Sequence, residues 1–236
     1  MPHKIWMYYL PRTCAHCTYP ACVAACPRKA IYKRPEDGIV LIDQAKCRGY
    51  RECVRSCPYK KSMFNVQTRI SEKCIGCYPK IEKGQMPQCV TNCIGKIRLN
   101  GFVSVPEASR KDNPMDYLIH EKKLALPLYP QFGLEPNIYY IPPIHAPSSY
   151  LEQMFGPNAQ KAVDGYKAIK DNKELQGLLV LFGSMEPIIH SFKVSNGNAY
   201  GYDEKALEII KVPIEEHTYI RKLFDEDLKA FRHNTP

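Results

Sequence analysis

All eleven cysteines of this 236-residue chain lie between residues 14 and 93, and the 143 residues that follow have none. They fall into three runs: Cys14-x2-Cys17-x4-Cys22-x3-Cys26-Pro27, Cys47-x2-Tyr50-x2-Cys53-x3-Cys57-Pro58 and Cys74-x2-Cys77-x11-Cys89-x3-Cys93. In the second, CRGYRECVRSCP, Tyr50 stands where the spacing calls for another cysteine. A segment this dense in thiols has little room for an apolar core, so whatever joins the sulfurs must also hold the fold together.

Three kinds of joint compete. Disulfide frameworks belong to short secreted chains with an even cysteine count; here the count is odd, the chain is long and its second half is cysteine-free. Zinc ribbons need two close pairs a dozen or more residues apart. Only the third run resembles that, and zinc gives no reason for Cys-x3-Cys-Pro to occur twice. Iron–sulfur clusters do give one: they are caged by thiolates, and in bacterial two-cluster chains the last cysteine of each run, just before proline, serves the other cluster.

Crossing the ligands in that way assigns Cys14, Cys17, Cys22 and Cys57 to a [4Fe-4S] cluster, and Cys26, Cys47 and Cys53 to a second cluster whose fourth corner faces Tyr50. Three thiolates suit [3Fe-4S]. A phenol with a pKa near 10 is a poor ligand at neutral pH, and a ring in that place shields an iron-free corner. The third run does not close on itself. Its crossing pattern assigns Cys93 to a different cluster from Cys74, Cys77 and Cys89, and the four need thiolate partners that this sequence does not contain.

Charge follows the cysteines. Residues 1–100 hold 18 Lys or Arg against 6 Asp or Glu, net +12; residues 101–236 hold 15 against 18, net −3, which together give the chain's +9. Arg48, Arg51, Arg55, Lys60 and Lys61 are placed to offset anionic metal–thiolate cages. Nucleic-acid binding is the other use of a basic half, but no nucleic-acid motif accompanies it.

The expected fold class is α+β: a two-cluster bacterial ferredoxin-like module with a mixed helical and short-strand C-terminal extension. Three units are expected, over residues 1–103, 104–147 and 148–236. In the first, Pro20 to Ala25 reads as a helical turn, and AIYK-RPEDG-IVLI, residues 30–42, as a hairpin. Six prolines between Leu126 and Pro147 favour an extended segment, whose aromatic and aliphatic residues suggest that it lies along a partner. Beyond it, Ser149 to Phe155, Ala159 to Lys170 and Glu174 to Phe182 read as helices. FKV, a turn at Asn196-Gly197 and ALEIIKVPI read as short strands.

Little else suggests chemistry. His16, between Cys14 and Cys17, reads as an ordinary exposed histidine rather than one bonded to a cluster sulfur. His145 reads as a loop residue, and Lys60 and Lys61 equally as a solvated basic turn or as charges that set a cluster's potential. No nucleophile elbow, phosphate loop or dinucleotide fingerprint occurs, so no catalytic site is expected on this chain. No apolar run approaches the roughly 20 residues that span a bilayer.

The stretches MYYLPRTCAHCTYPACVAACPRKAIYKRPEDGIVLID, CRGYRECVRSCPYKK and SEKCIGCYPKIEKGQ resemble the iron–sulfur β subunits of membrane-linked molybdoenzymes, the respiratory nitrate reductase and type II dimethyl-sulfoxide-reductase group. LALPLYPQFGLEPNIYYIPPIHAP resembles the ethylbenzene, dimethylsulfide, selenate and (per)chlorate branch. The resemblance implies three [4Fe-4S] clusters and one [3Fe-4S] with Trp or Tyr at the missing ligand, which Tyr50 matches. It implies that an upstream cysteine quartet completes the clusters of Cys74, Cys77, Cys89 and Cys93. Since the sequence starts at MPHKIWMYYL, the expectation is that Met1 is internal to a longer protein. The implied partners are a molybdopterin catalytic α subunit and a haem b γ subunit or membrane anchor. The implied location is the periplasm, reached with a signal-bearing catalytic subunit, in preference to the cytoplasmic face of the membrane. A stand-alone ferredoxin-type carrier is the alternative function.

Overall fold

Short elements joined by tight turns fill the cysteine-rich segment of the computed structural model, which describes residues 6–184 and 187–214. Pro20 opens α1 (Ala21–Ala24): proline fixes φ and lacks a donor, yet its carbonyl accepts from Val23 and Ala24 at 3.0 and 3.3 Å. The expected hairpin follows, β1 (Ile31–Lys33) antiparallel to β2 (Val40–Ile42) with Ile31 opposite Ile42. Then come α2 (Glu52–Ser56), a second hairpin of β3 (Ser62–Asn65) and β4 (Ile70–Lys73), and the single turns α3 (Tyr78–Ile81) and α4 (Gln88–Thr91).

The three cysteine runs share a backbone as well as a spacing. Two residues after the first cysteine of each run the chain turns left-handed, at His16, Gly49 and Gly76. Three residues after the last cysteine it does so again, at Lys29, Lys60 and Lys96, whose amides donate to the carbonyls of Cys26, Cys57 and Cys93 at 3.0–3.1 Å. Left-handed conformations are costly for residues with a Cβ and concentrate at functional sites. At Gly49 only glycine fits, because a Cβ there would lie 2.4 Å from the Arg69 carbonyl oxygen.

The second half adds α5 (Pro114–Asp116), running into a π-helical turn at Tyr117–Glu121, and a two-residue pairing of β5 (Leu126–Pro127) with β6 (Tyr139–Tyr140). Next are α6 (Ser148–Phe155), α7 (Ala159–Lys167) with a 3-10 extension at Ala168–Asp171, and α8 (Lys173–Ser184), whose first turn is capped by Asn172 Oδ1 accepting from Leu175 N–H at 3.0 Å. The three-stranded antiparallel sheet of β7 (Ser191–Ser195), β8 (Asn198–Tyr202) and β9 (Glu208–Pro213) packs on α8. Helices with small sheets make the class α+β. β8 is absent from the expected strands, since NAYGY has a glycine where a strand signal needs a side chain. Gly201 instead lets Ile189 and Ile210 close over the backbone, with a Cβ 2.6 and 2.7 Å from their side chains. No helix among the described residues is long and apolar enough to cross a membrane.

Two larger cores straddle residue 103. Leu175, Leu178 and Leu181 of α8 join Tyr117, Ile189 and Ala199 to Met86, with Ile81, Val90 and Leu99 packed against them. Leu151, Met154, Phe155 and Val163 join Leu126 and Leu128 to Tyr59, with Tyr8, Leu10, Cys17 and Cys57 against that core. The Pro-rich segment runs antiparallel along its own chain's residues 7–19. Thr18 and Tyr19 N–H donate to the carbonyls of Glu135 and Leu134, Asn137 N–H donates to Ala15 O, and Tyr140 OH donates to Pro11 O.

Candidate iron–sulfur site

Cys14, Cys17, Cys22 and Cys57 line one cavity, together with His16, Val40, Tyr59, Lys61 and Leu134. Cys26, Cys47 and Cys53 line another with Tyr50, Arg48, Arg51 and Ser71. Each cavity thus takes three members from one run and the last cysteine of the other. The fold achieves this with α1 and α2 lying against each other over a small core of Ile31, Val40 and Cys53, with Cys22, Val23, Cys26, Ile42 and Val54 around it.

All eleven cysteines are free. Burial first, then the neighbouring Cys14, pushes both Cys17 and Cys22 up to about 11; Cys57 is among the further causes at each. Thiols held this far up keep their protons at neutral pH, and a metal cation that binds the sulfur displaces the proton into water. Among the described residues no three His, Cys, Asp or Glu side chains converge closely enough for a single metal ion. Four thiols around one cavity, too far apart for one ion, fit a multi-iron cage better than tetrahedral zinc with its bonds of about 2.3 Å.

Backbone amides are already directed at the sulfurs. Ala30 N–H donates to Cys26 Sγ at 3.3 Å and Lys61 N–H to Cys57 Sγ at 3.4 Å, each four residues past its cysteine in the shared turn. Ser71 N–H, from β4, donates to Cys47 Sγ at 3.4 Å, and Gly76 N–H to Cys74 Sγ at 3.3 Å. Hydrogen bonds to sulfur are among the terms that set cluster potential. At Cys93 the backbone of Ile97, also four residues on, is the first cause that lowers the thiol.

Cations surround the first cavity. Lys33 Nζ donates to the carbonyls of Cys17 and Thr18 at 3.1 and 3.2 Å, and Lys73 Nζ donates to Val40 O and to Cys74 O. Neither lysine stands out in the sequence, because the Cys17, Thr18 and Val40 carbonyls that they reach lie 15 to 33 residues away. Around the second cavity, Arg48 Nη1 donates to the carbonyls of Ala45 and Cys47, and Arg51 lies 4.0 Å over the Phe64 ring. Tyr50 is 58 % exposed, so its corner of that cavity is open to water.

The third run is not gathered in this way. Cys74 and Cys89 are exposed, and Cys77 and Cys93 half-buried. Cys74 is an electrostatic neighbour of Cys89 and Cys14. Its segment is tied to the first hairpin by Arg34, which bonds Glu82 at 2.6 Å, pairs with Asp37 at 3.2 Å and stacks on Tyr78.

His16 departs from its expected exposure. It lines the first cavity, its Nδ1 accepts from Val40 N–H at 3.0 Å, and its Nε2 is buried without a partner among the described residues. Burial first, then the nearby Lys73 charge, lowers its pKa to about 3, which keeps the ring neutral. His145 is exposed in its loop, with Nε2 2.8 Å from Met7 O.

A family model for the 4Fe-4S dicluster domain matches residues 5–102. This segment is a 4Fe-4S dicluster domain. The match covers both cavities and the third run, and the dicluster domain leads into a C-terminal half that relatives share in part. The chain is 49% identical over 173 residues to the chlorate reductase subunit beta of Ideonella dechloratans, covering 66% of this chain and 51% of that one. To the selenate reductase subunit beta of Thauera selenatis it is 47% identical over 173 residues, with the same coverage. To the dimethylsulfide dehydrogenase subunit beta of Rhodovulum sulfidophilum it is 43% identical over 184 residues, covering 72% of this chain and 55% of that one. The family resemblance read from the cysteine runs is borne out: the chain is a relative of these β subunits. It spans about half the length of each.

Proposed function

We propose that the chain is an electron-transfer iron–sulfur subunit that relays electrons between a molybdopterin catalytic subunit and a haem b or quinone-linked subunit of an anaerobic respiratory oxidoreductase. The observation that carries this reading is the exchange of final cysteines between two cavities, Cys57 with Cys14, Cys17 and Cys22, and Cys26 with Cys47 and Cys53. In it, the first four cysteines hold a [4Fe-4S] cluster. Cys26, Cys47 and Cys53 hold [3Fe-4S], with Tyr50 at the water-open corner that lacks a thiol. Cys74, Cys77 and Cys89 belong to a second [4Fe-4S] site and Cys93 to a third, each completed by thiolates from outside this chain.

Clusters bound there supply one-electron carriers whose potentials are set by type, charge, hydrogen bonding and exposure. The chain's residues supply those terms: amides of Ala30, Lys61, Ser71 and Gly76 on the thiolates, the charges of Lys33 and Lys73, and the open edge at Tyr50. The kinship to reductase and dehydrogenase β subunits supports a catalytic partner over a free-standing carrier, and a periplasmic location is proposed with it. The described residues of the dicluster module (1–103), the strap (104–147) and the extension (148–236) act as one body in this reading, because both large cores cross residue 103.

Electron paramagnetic resonance of the oxidised intact protein tests it. A [3Fe-4S] cluster is paramagnetic in that state and an ordinary [4Fe-4S] cluster silent. Silence from a protein rich in iron and sulfide removes the role given to Tyr50; zinc without acid-labile sulfide removes the clusters altogether. Co-purification with a large molybdenum subunit is expected, and a fully active monomeric shuttle would favour the stand-alone carrier.

A further inference from the structure

We propose that His16 is a positioning residue for the cluster of Cys14, Cys17, Cys22 and Cys57: its Nε2–H donates a hydrogen bond to a cluster sulfur and holds the cluster's reduction potential up. The proposal rests on the cluster reading above. Three independent constraints meet at this side chain.

The first fixes where the proton is. Val40 N–H donates to His16 Nδ1 at 3.0 Å, so Nδ1 is the acceptor, and a neutral imidazole then carries its hydrogen on Nε2. Val40 is fully buried in β2, so the donor that selects this tautomer cannot swing away.

The second constraint fixes the ring. His16 sits at a left-handed φ of 45°, in the position that Gly49 and Gly76 occupy in the other two runs. A residue with a Cβ holds such a conformation only where its surroundings over-determine it. Here they do: the strap residue Asn137 donates from its side chain to His16 O at 2.9 Å and from its backbone to Ala15 O at 2.9 Å.

The third is the unanswered donor. Nε2 is buried and has no partner among the described residues, and a buried donor left unmade is destabilising. The ring lines the cavity around which the four thiols gather. Cluster sulfurs, anionic and acceptor-rich, are the groups there that can take this hydrogen. A donor on sulfur favours the more negative, reduced state, hence the direction of the effect on potential.

The test compares His16→Gln with His16→Leu in the intact, cluster-loaded protein. Glutamine can accept from Val40 N–H through Oε1 while donating through its own amide; leucine fills space and does neither. In titrations monitored by paramagnetic resonance, the four-cysteine cluster in H16L is expected to show a more negative midpoint potential, with H16Q near the unsubstituted protein and the Cys26 cluster unmoved in both. An unchanged potential in H16L, or equal shifts in both variants, overturns the proposal, the latter because it points to packing rather than the donor. Should H16L not retain iron, protein labelled with 15N-histidine decides: weak nitrogen coupling to the reduced cluster is expected without any substitution and is lost in H16Q, and its absence in the unsubstituted protein overturns the proposal. Iron and sulfide analysis separates these outcomes from failure of the cluster reading, since a protein without a cluster fails that analysis before any variant is made.

Discussion

Gly49 and Gly84 share a left-handed backbone, at φ +68° and +67°, and differ in what a side chain would meet. Alanine at either position bears the left-handed cost, about 1–2 kcal/mol. At Gly84 nothing lies within 4 Å, so the cost ends there. At Gly49 the new Cβ would be 2.4 Å from Arg69 O and 3.1 Å from Phe64 Cε2. No rotamer relieves a clash with a backbone carbonyl, and Arg69 is tied into the β3–β4 turn by its N–H donating to Asn65 O at 2.9 Å. Overpacking of this kind adds about 1–3 kcal/mol, so Gly49→Ala should cost roughly 2 kcal/mol more than Gly84→Ala. The strain is local, and native-state hydrogen exchange reads it locally. The Ser71 amide, which donates to Cys47 Sγ, should exchange about three-hundredfold faster in G49A, since the left-handed cost and the clash together come to about 3.5 kcal/mol and each 1.4 kcal/mol is a factor of ten. G84A should leave that amide alone and loosen only the turn around Gln85, whose N–H donates to Lys80 O at 3.0 Å. Equal loss of protection at Ser71 in the two variants would refute the steric reasoning.

Three further outcomes are expected. Tyr59→Phe removes the buried hydrogen bond to Leu128 O at 3.0 Å while keeping the ring against Phe132, and should lower stability by about 1 kcal/mol in a thermal-shift comparison; an unaltered midpoint would mean water replaces the hydroxyl there. Chelating iron should open residues 14–74 to protease while Leu175, Leu178 and Leu181, each buried, keep α8 protected on its sheet; uniform cleavage along the chain would contradict the view of the clusters as local staples. Tyr50→Cys should supply the fourth thiolate of the second cavity, so that the signal of the oxidised [3Fe-4S] cluster gives way to a [4Fe-4S] signal on reduction; an unchanged spectrum would show that Tyr50 does not govern cluster type.

The cysteine runs were readable because their information is local. A Pro-x-Cys-x3-Cys segment carries its helical turn within six or seven residues, and PACVAAC and PQCVTNC fold alike at α1 and α4. The first hairpin was readable for the same reason: alternating apolar residues flank a turn ending in Gly38, at φ +70°. The Pro-rich segment was readable as extended, but not in its destination. Its carbonyls and amides meet those of residues 7–19, more than a hundred positions away, and no local pattern announces such a match. β8 escaped because Gly201 trades side-chain signal for close packing against Ile189 and Ile210.

His16 marks the division most plainly. In the sequence it is a polar residue between two thiols, and exposure is the ordinary fate of such a residue. Its burial depends on Val40 arriving from β2 and Asn137 from the strap, two contacts made only when remote segments dock. What the sequence alone determined was therefore the chemistry of the cofactor and the kinship of the chain, because thiol spacing and turn geometry act over a few residues. The tertiary structure decided which cysteines face one another, which amides and cations bear on them, and which histidine is left holding a hydrogen with nowhere among the described residues to place it, because each of these is set by segments that meet only in the folded chain.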